Sequence, residues 1–501
     1  MKRRRSIRNL SLLALVALLP LLGGAGLAQT LTMAMSAQPD TLDPQVTAAT
    51  AAFQVSKSIY DTLIEVDQSG VLVPALASSW AVSPDGLTYT FELVEATFHD
   101  GTAFSAEDVV ATLDRIRSAE TASPKVNEFR AIVSVAAQGP RTVVVTLSEP
   151  QPALLASLAS GWGAILPSEK LAEGHDFGNQ PVGTGPFSFA SWTRDNAITL
   201  DANPDYYGGA PSVDQVVIRF VTDSAVQLQG LLTGEFDIID TVAAADRPAV
   251  ETNPALTLVR EPSGLVLVAG LNTRRDYLSD VRVRQALNLG VDTAIVMEVA
   301  YSSGSQVGTF MEAGSPWYPD SVEPFPYDPE AARALLAEAG VPQGWTLDMV
   351  LPQPYEEHIL AGQIVQDFLR DLGINAQIRI VEWGVWLSDT YGGPRNFDIT
   401  VVGHTGKLDP SGRLTGLGDP RTNYTGLDDP KLAGIIATAN ITPDHAARQA
   451  LYTEALERIH EQAPFIFFGT PDRVYARQAN VEGFWMTPLL DSFDFRDAAL
   501  E

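Results

Sequence analysis

Asp85 to Asp108 reads D-G-L-T-Y-T-F-E-L-V-E-A-T-F-H-D-G-T-A-F-S-A-E-D, and this stretch decides the fold. Its first part, Thr88-Tyr89-Thr90-Phe91-Glu92-Leu93, alternates polar and apolar residues and is rich in β-branched and aromatic types. Period 2 in such residues is the mark of a strand with one buried face. Asp100-Gly101 is turn chemistry, since glycine accepts the positive φ that a tight reversal often needs. Ser105 stands three residues before Asp108, the spacing at which two side chains cap a helix start reciprocally. Val109, Val110 and Leu113 then supply the apolar face of that helix. The unit is strand, tight turn, capped helix.

Around this unit lie 501 residues, more than one hydrophobic core supports, so two or three domains are expected. Residues 1–28 read as a signal peptide. Lys2, Arg3, Arg4, Arg5 and Arg8 form a basic start, Leu10 to Leu22 an apolar run, and Gly26-Leu27-Ala28 a small-residue cleavage site before Gln29. A membrane anchor is the alternative, but thirteen mostly apolar residues interrupted by Pro20 are too few to span. Without the five basic residues of the leader, 28 Lys and Arg face 61 Asp and Glu, a net charge of −33. So acidic a surface repels nucleic acid and anionic lipid. Cysteine is absent, which excludes disulfides, thiolate metal sites, a cysteine nucleophile and a lipidated N-terminal cysteine. The expected product is a freely diffusing periplasmic monomer.

The run F-H-D-G-x-x-F-x-A-x-D-V from Phe98 to Val109, with D-G-x-T-Y-T-F ahead of it, resembles the hallmark segment of the family-5 extracytoplasmic solute-binding proteins. These serve bacterial ABC importers for dipeptides, oligopeptides, nickel and related solutes. Other elements resemble the same family: Pro39-Asp-Thr-Leu-Asp-Pro44, Pro74-Ala-Leu-Ala-Ser-Ser-Trp80, Val182-Gly-Thr-Gly-Pro-Phe187, Gly234-Glu-Phe-Asp237 and Asp280-Val-Arg-Val-Arg-Gln-Ala-Leu287. Val94 departs from it, standing where the family usually has an arginine.

The resemblance implies an α/β, two-lobed periplasmic-binding-protein fold of class II, large cluster, with an extra subdomain in lobe 1. Residues 29–50, 181–268 and 478–501 would form lobe 1, 51–180 its small subdomain, and 269–477 lobe 2. The hinge would be crossed twice, near Leu265–Gly270 and near Thr470–Gln478. Local signals supply detail. Phe53, Ile59, Tyr60 and Leu63 fall near one helix face, and Trp80 reads as core. In the Asp280–Leu287 helix the arginines are expected to point outward. A helix with Ile359, Ile364, Val365, Phe368 and Leu372 on one stripe is followed at once by a strand from Ile374. That order implies a parallel sheet in lobe 2.

A receptor that closes two lobes around solute holds it between them. In peptide-binding relatives a carboxylate after a Gly-Trp-Thr-Gly strand end pairs with the ligand's α-ammonium, and an Arg in R-P-Y with its carboxylate. Here Gly403-His404-Thr405-Gly406-Lys407 puts Lys407 at the acid's place and His404 at the tryptophan's, and Gln353 replaces the Arg before Pro354-Tyr355. An α-ammonium beside Lys407 would cost several kcal/mol, so free-ended dipeptides are disfavoured. Asp409 could answer Lys407 two residues away; otherwise the ligand supplies the anion. Trp383 and Trp386 flank Gly384 where the family lines its cleft, Tyr355 keeps the family's tyrosine, and Trp162 sits in a glycine-flanked turn. Each aromatic either stacks on ligand or packs in its lobe. The expected solute is polar and weakly charged or anionic: a modified peptide, an opine-like conjugate or a short saccharide.

Rival readings have less to stand on. No G-x-S-x-G or H-E-x-x-H occurs, and no cofactor motif, so an exported hydrolase is the weaker class. A metal or haem receptor with His404 as one ligand is the nearer rival. The expected partners are a small or peptide-like solute and an ABC permease complex in the inner membrane, not nucleic acid.

Overall fold

The computed structural model describes residues 29–353, 355–487 and 492–501; the leader reading falls on 1–28 and lies outside them. Two sheets dominate. In the first, seven strands run edge to edge as Leu256–Pro262, Asp472–Gln478, Ile238–Ile239, Thr30–Met35, Gln215–Phe220, Ala197–Ala202 and Phe187–Thr193. In the second, six run as Ser305–Gln306, Phe465–Thr470, Val266–Leu271, Ile399–His404, Trp345–Gln353 and Ile374–Glu382. The strands Val266–Leu271 and Phe465–Thr470 are buried at every residue, as befits central strands covered on both faces.

The chain changes sheets twice. It leaves the first sheet after Pro262 and enters the second at Val266; it returns between Thr470 and Asp472. The Ser263 N–H donates to the Pro471 carbonyl at 3.0 Å, joining the two crossings side by side. These points lie several residues ahead of the expected boundaries at 268/269 and 477/478. The reason is the ladder: Leu256–Pro262 pairs with Asp472–Gln478 without a break from Leu256 opposite Gln478 to Pro262 opposite Asp472. Asp472–Gln478 is thus a lobe 1 strand, and Val266–Leu271 belongs wholly to lobe 2.

The third sheet is the subdomain's, ordered Ala77–Val82, Thr88–Leu93, Thr142–Leu147, Ile132–Ala137. Thr88–Leu93 buries Tyr89, Phe91 and Leu93 on one face, as its alternation predicts. The helix Ala106–Arg117 begins at the capping box, where Asp108 Oδ2 accepts from the Ser105 N–H at 2.8 Å, and buries Val109, Leu113 and Ile116. His99 then ties the subdomain to lobe 1. Its Nε2 donates to Gly185 O (2.9 Å) and its Nδ1 accepts from Gly183 N–H (3.4 Å). A Cβ on Gly183 would collide with the Ile59 carbonyl, so the two glycines let the returning chain lie backbone to backbone on Ser58–Ile59.

That pairing corrects one expectation. The helix Thr50–Ser56 ends before Ile59, Tyr60 and Leu63; all three are buried, but from the turn and loop after it, where the Ser58 and Ile59 carbonyls accept from Phe187 and Gly185. Trp80 is half-buried at the rim of the subdomain core. In the helix Val281–Gly290, Arg282 is exposed and paired with Asp280. Arg284 instead is 2% exposed, its guanidinium donating to the carbonyls of Gln462, Leu278 and Ser279. In lobe 2, Trp345–Gln353 and Ile374–Glu382 pair in parallel across the helix Glu356–Asp371, the expected strand-helix-strand unit. That helix turns His358, Ala361, Val365 and Leu369 inward, a stripe rotated from the expected one, and Ile359, Ile364 and Phe368 are half-buried. The tail returns to lobe 1, burying Phe484, Phe493 and Phe495 in its core.

Candidate ligand-binding cleft

The strand Ile399–His404 ends beside the first crossing, His404 opposite Val266. The chain from Thr405 to Gly412 therefore leaves lobe 2 at the hinge and faces the subdomain. Between them lies a cavity of about 520 Å³. Lys125, Glu128 and Trp162 border it from lobe 1, Leu265 at the hinge, and Thr405 and Lys407 from lobe 2. Leu408 reaches across and packs on the subdomain's apolar core.

Trp162 both packs and lines. Its indole N–H donates to Thr47 O at 2.9 Å, its edge meets Phe53 at 4.5 Å, and the Lys125 ammonium sits 4.7 Å over its ring. Lys125 also pairs with Glu128 Oε1 at 2.8 Å.

Lys407 is half-buried with its stem along Gly412. Among the described residues no carboxylate pairs with it. Burial first, then the Lys125 ammonium, hold its pKa below the ordinary lysine value, and Glu128 opposes them. Asp409 does not answer it. That carboxylate is gripped by Arg448 at 2.6 and 2.7 Å and accepts from the Ser411 N–H (2.9 Å) and hydroxyl (2.6 Å). Asp409 borders the cavity, yet it is an anchor for the loop and not a free ligand group.

A second anchor escaped the sequence. Arg413 pairs with Glu312 at 2.8 Å, both buried, and donates to the His404 and Thr405 carbonyls at 3.5 and 3.1 Å. Burial raises the Glu312 pKa and lowers that of Arg413, and each charge counters the other's shift. His404 packs against Phe310 and Tyr424, with Nε2 3.0 Å from the Tyr424 hydroxyl. Burial, then Arg413 and His358, push its pKa down to about 3, so its ring is neutral. Thr405 is exposed in the cavity wall.

The four remaining candidates lie elsewhere. Trp386 is 2% exposed, donates to Thr400 Oγ1 at 2.8 Å and stacks flat on Trp383 at 5.0 Å. It is a core side chain, which corrects the expectation of a ligand face. Trp383 is half-buried and meets the exposed Tyr355 edge-on at 5.1 Å; Gln353 is exposed at its strand end. None of the four borders the cavity. They stand at the ends of Trp345–Gln353 and Ile374–Glu382, one and two strands beyond Ile399–His404, a lateral offset of about 5 to 10 Å.

What the sequence missed is the lobe 1 wall of Lys125, Asn127, Glu128 and Gln151. The polar run Thr121 to Glu128 was the available signal. Among the described residues, no group of three or more His, Asp and Glu could hold a metal, and no helix is long and apolar enough to cross a membrane.

Residues 71–425 match the family model of bacterial extracellular solute-binding proteins, family 5. The chain belongs to this family. Its members are binding proteins of transport systems, not enzymes, and deliver peptides or other small solutes to ABC permeases. Among its relatives, this family-5 protein is 30% identical to di/tripeptide-binding protein 2 of Pseudomonas aeruginosa, over 92% of this chain and 93% of that one. It superposes on HbpA2 of Haemophilus parasuis with a TM-score of 0.86 at 26% identity, over 94% of this chain and all of that one. On AgaA of A. tumefaciens R10, solved with agropinic acid, the TM-score is 0.69 at 30% identity, over 94% and 99%.

Proposed function

We propose that this family-5 protein is exported, freed of its leader near Gln29 and left without a lipid anchor. In the periplasm it captures, as a monomer, a small polar solute bearing an anionic group and hands it to an inner-membrane ABC permease. One observation carries the solute class: Lys125 and Lys407, from opposite lobes, border one cavity whose lining carboxylates, Glu128 and Asp409, are already paired with Lys125 and Arg448. Asp409 is committed to Arg448, so no acid at that loop greets an α-ammonium. Trp162 offers a ring face for the uncharged part of the solute. An N-blocked peptide, an opine-like conjugate or a sugar acid fits this lining better than a free-ended dipeptide does. AgaA, which binds agropinic acid, and the di/tripeptide-binding relative mark the two sides of that choice.

Calorimetry on the purified protein tests it, with agropinic acid, N-acetylated dipeptides and the same dipeptides unblocked, beside mass spectrometry of any co-purified solute. Anionic, amine-blocked solutes should bind, and Lys407→Asp should weaken them by ~2–5 kcal/mol. Tighter binding of unblocked dipeptides, or full affinity in a folded Lys407→Asp protein, would sink the proposal.

A further inference from the structure

A second cavity, of about 370 Å³, lies at the other end of the lobe 2 sheet, bordered by Asn272, Arg274, Arg275, Pro394, Arg395 and Asn396. On the strand Val266–Leu271, Val266 faces His404 at the cleft end and Leu271 faces Ile399 at the far end. Five residue steps separate them, about 17 Å of strand. This place is distinct from the solute cleft.

Three chain segments build it. Asn272, 2% exposed, donates from Nδ2 to the carbonyls of Arg395 (3.0 Å) and Phe397 (2.9 Å) and accepts from the Arg274 N–H (3.3 Å). The Arg274 guanidinium donates to the Pro420 carbonyl and fills the space over Gly426, where any Cβ would collide with it. Arg395 donates to the Arg421 carbonyl at 2.6 Å, and its backbone lies at φ +56°, a left-handed conformation costly for a side-chain-bearing residue. Arg275 donates to Asn396 Oδ1 (2.8 Å) and Phe397 O (3.2 Å).

The charges here are left unbalanced. Asp398 lies 3.4 Å from Arg275, while the nearby Asp348 and Asp419 are taken by Arg379 and Arg421. Among the described residues no carboxylate pairs with Arg274 or Arg395, and the Arg395 Nε is buried without a hydrogen-bond partner. Burial, and after it the Arg395 guanidinium, hold the Arg274 pKa below its usual value. In a chain with 61 Asp and Glu against 33 Lys and Arg, acids to separate them were plentiful. Guanidinium forks match the oxygens of phosphate in pairs, and three arginines border this one concavity. We propose that this cavity binds a phosphate group, free or carried on a larger molecule, with Arg274 and Arg395 as principal donors and Arg275 at the rim. Its volume leaves room beside the phosphate for part of a carrier.

The test titrates the purified protein with inorganic pyrophosphate by calorimetry at low ionic strength, with sodium chloride at equal ionic strength as control. In parallel, the protein is floated with phosphatidylcholine vesicles with and without phosphatidylglycerol. Pyrophosphate should bind saturably, and Arg274→Gln with Arg395→Gln should weaken it about tenfold or more. Arg282→Gln, on an exposed arginine paired with Asp280, should leave it unchanged. Flotation that needs both phosphatidylglycerol and these arginines would make a lipid headgroup the source; pyrophosphate binding without flotation would make it a soluble phosphate. Should the double variant fail to melt cooperatively, Arg395→Gln alone carries the comparison. Neither binding nor flotation in the wild type, or pyrophosphate binding undiminished in the folded variant, overturns the site.

Discussion

At the crossing from the subdomain into lobe 1, His99 spends both ring nitrogens on the backbone of Gly183 and Gly185. In the cleft loop of lobe 2, His404, Asp409 and Arg413 are each paired, with Tyr424, Arg448 and Glu312. Lys407, in the midst of them, is not. His99 and Asp100, the polar side chains of the motif at the crossing, are both answered within the protein, so the motif specifies a joint. The cleft loop uses three residues to fix its shape and leaves a fourth charge facing the cavity. A site of recognition differs from a structural joint in what it leaves unanswered.

Breaking the anchor beside Lys407 should have the largest effect. Asp409→Ala leaves the Arg448 guanidinium buried without its carboxylate, and removing one partner of such a pair costs ~3–5 kcal/mol. Urea denaturation should show that loss. A cost below about 1 kcal/mol would mean that the pair does not hold the loop.

The crossing should yield less. His99→Ala strands the Gly183 N–H, leaves the Gly185 carbonyl to the Asn203 amide alone, and should cost ~1–3 kcal/mol. The penalty should depend on pH. Burial lowers the His99 pKa below the ordinary histidine value, so the unfolded chain binds the proton more readily than the folded one. The stability His99 contributes is full above the unfolded value and is lost as pH falls. Melting curves of wild type and His99→Ala should therefore converge on going from about pH 7 to about pH 5. The difference carries the sign, because Asp61, pushed up to about 7 by burial and then by Glu65, moves the wild-type curve the other way.

The strand, turn and capped helix that lead to the crossing were legible in the sequence because their signals are local. A period of two and a spacing of three between Ser105 and Asp108 can each be read within a few residues; that Gly183 and Gly185 meet another backbone cannot. The strand-helix-strand unit of lobe 2 could be read too. The cleft was legible only in part. Trp162, Thr405, Lys407 and Asp409 border it, but Asp409 finds its partner 39 residues away and Arg413 finds Glu312 101 residues away. No local pattern announces such pairs. Trp383 and Trp386, three residues apart, come to different depths because the turn they share presses one into the core. Only the order of strands in the sheet says that both stand to the side of the cavity. The sheet changes fall ahead of the lobe boundaries drawn from the sequence for a like reason: a ladder runs as far as its hydrogen bonds allow, and Leu256–Pro262 gives no local sign that its partner begins at Asp472.

The smallest effect on stability should come from the residue left unanswered. Lys407→Met keeps an unbranched stem along Gly412 and removes an ammonium that is half-buried and faces Lys125. Nothing in the described protein loses an ion pair, so stability at neutral pH should change by no more than about 0.5 kcal/mol, in the direction of a gain. Alkaline pH sharpens the point. The folded-state pKa of Lys407 is lowered, so the unfolded chain holds that proton more tightly. Stability from this group then rises with pH in the window just below its ordinary value of 10.5. Lys407→Met should lack that rise, and the two curves should approach each other there. Binding should behave otherwise, since the same substitution removes the lobe 2 charge offered to an anionic solute and should weaken its capture. A stability loss as large as that of Asp409→Ala would show that Lys407 is a third anchor and erase the contrast between the two regions.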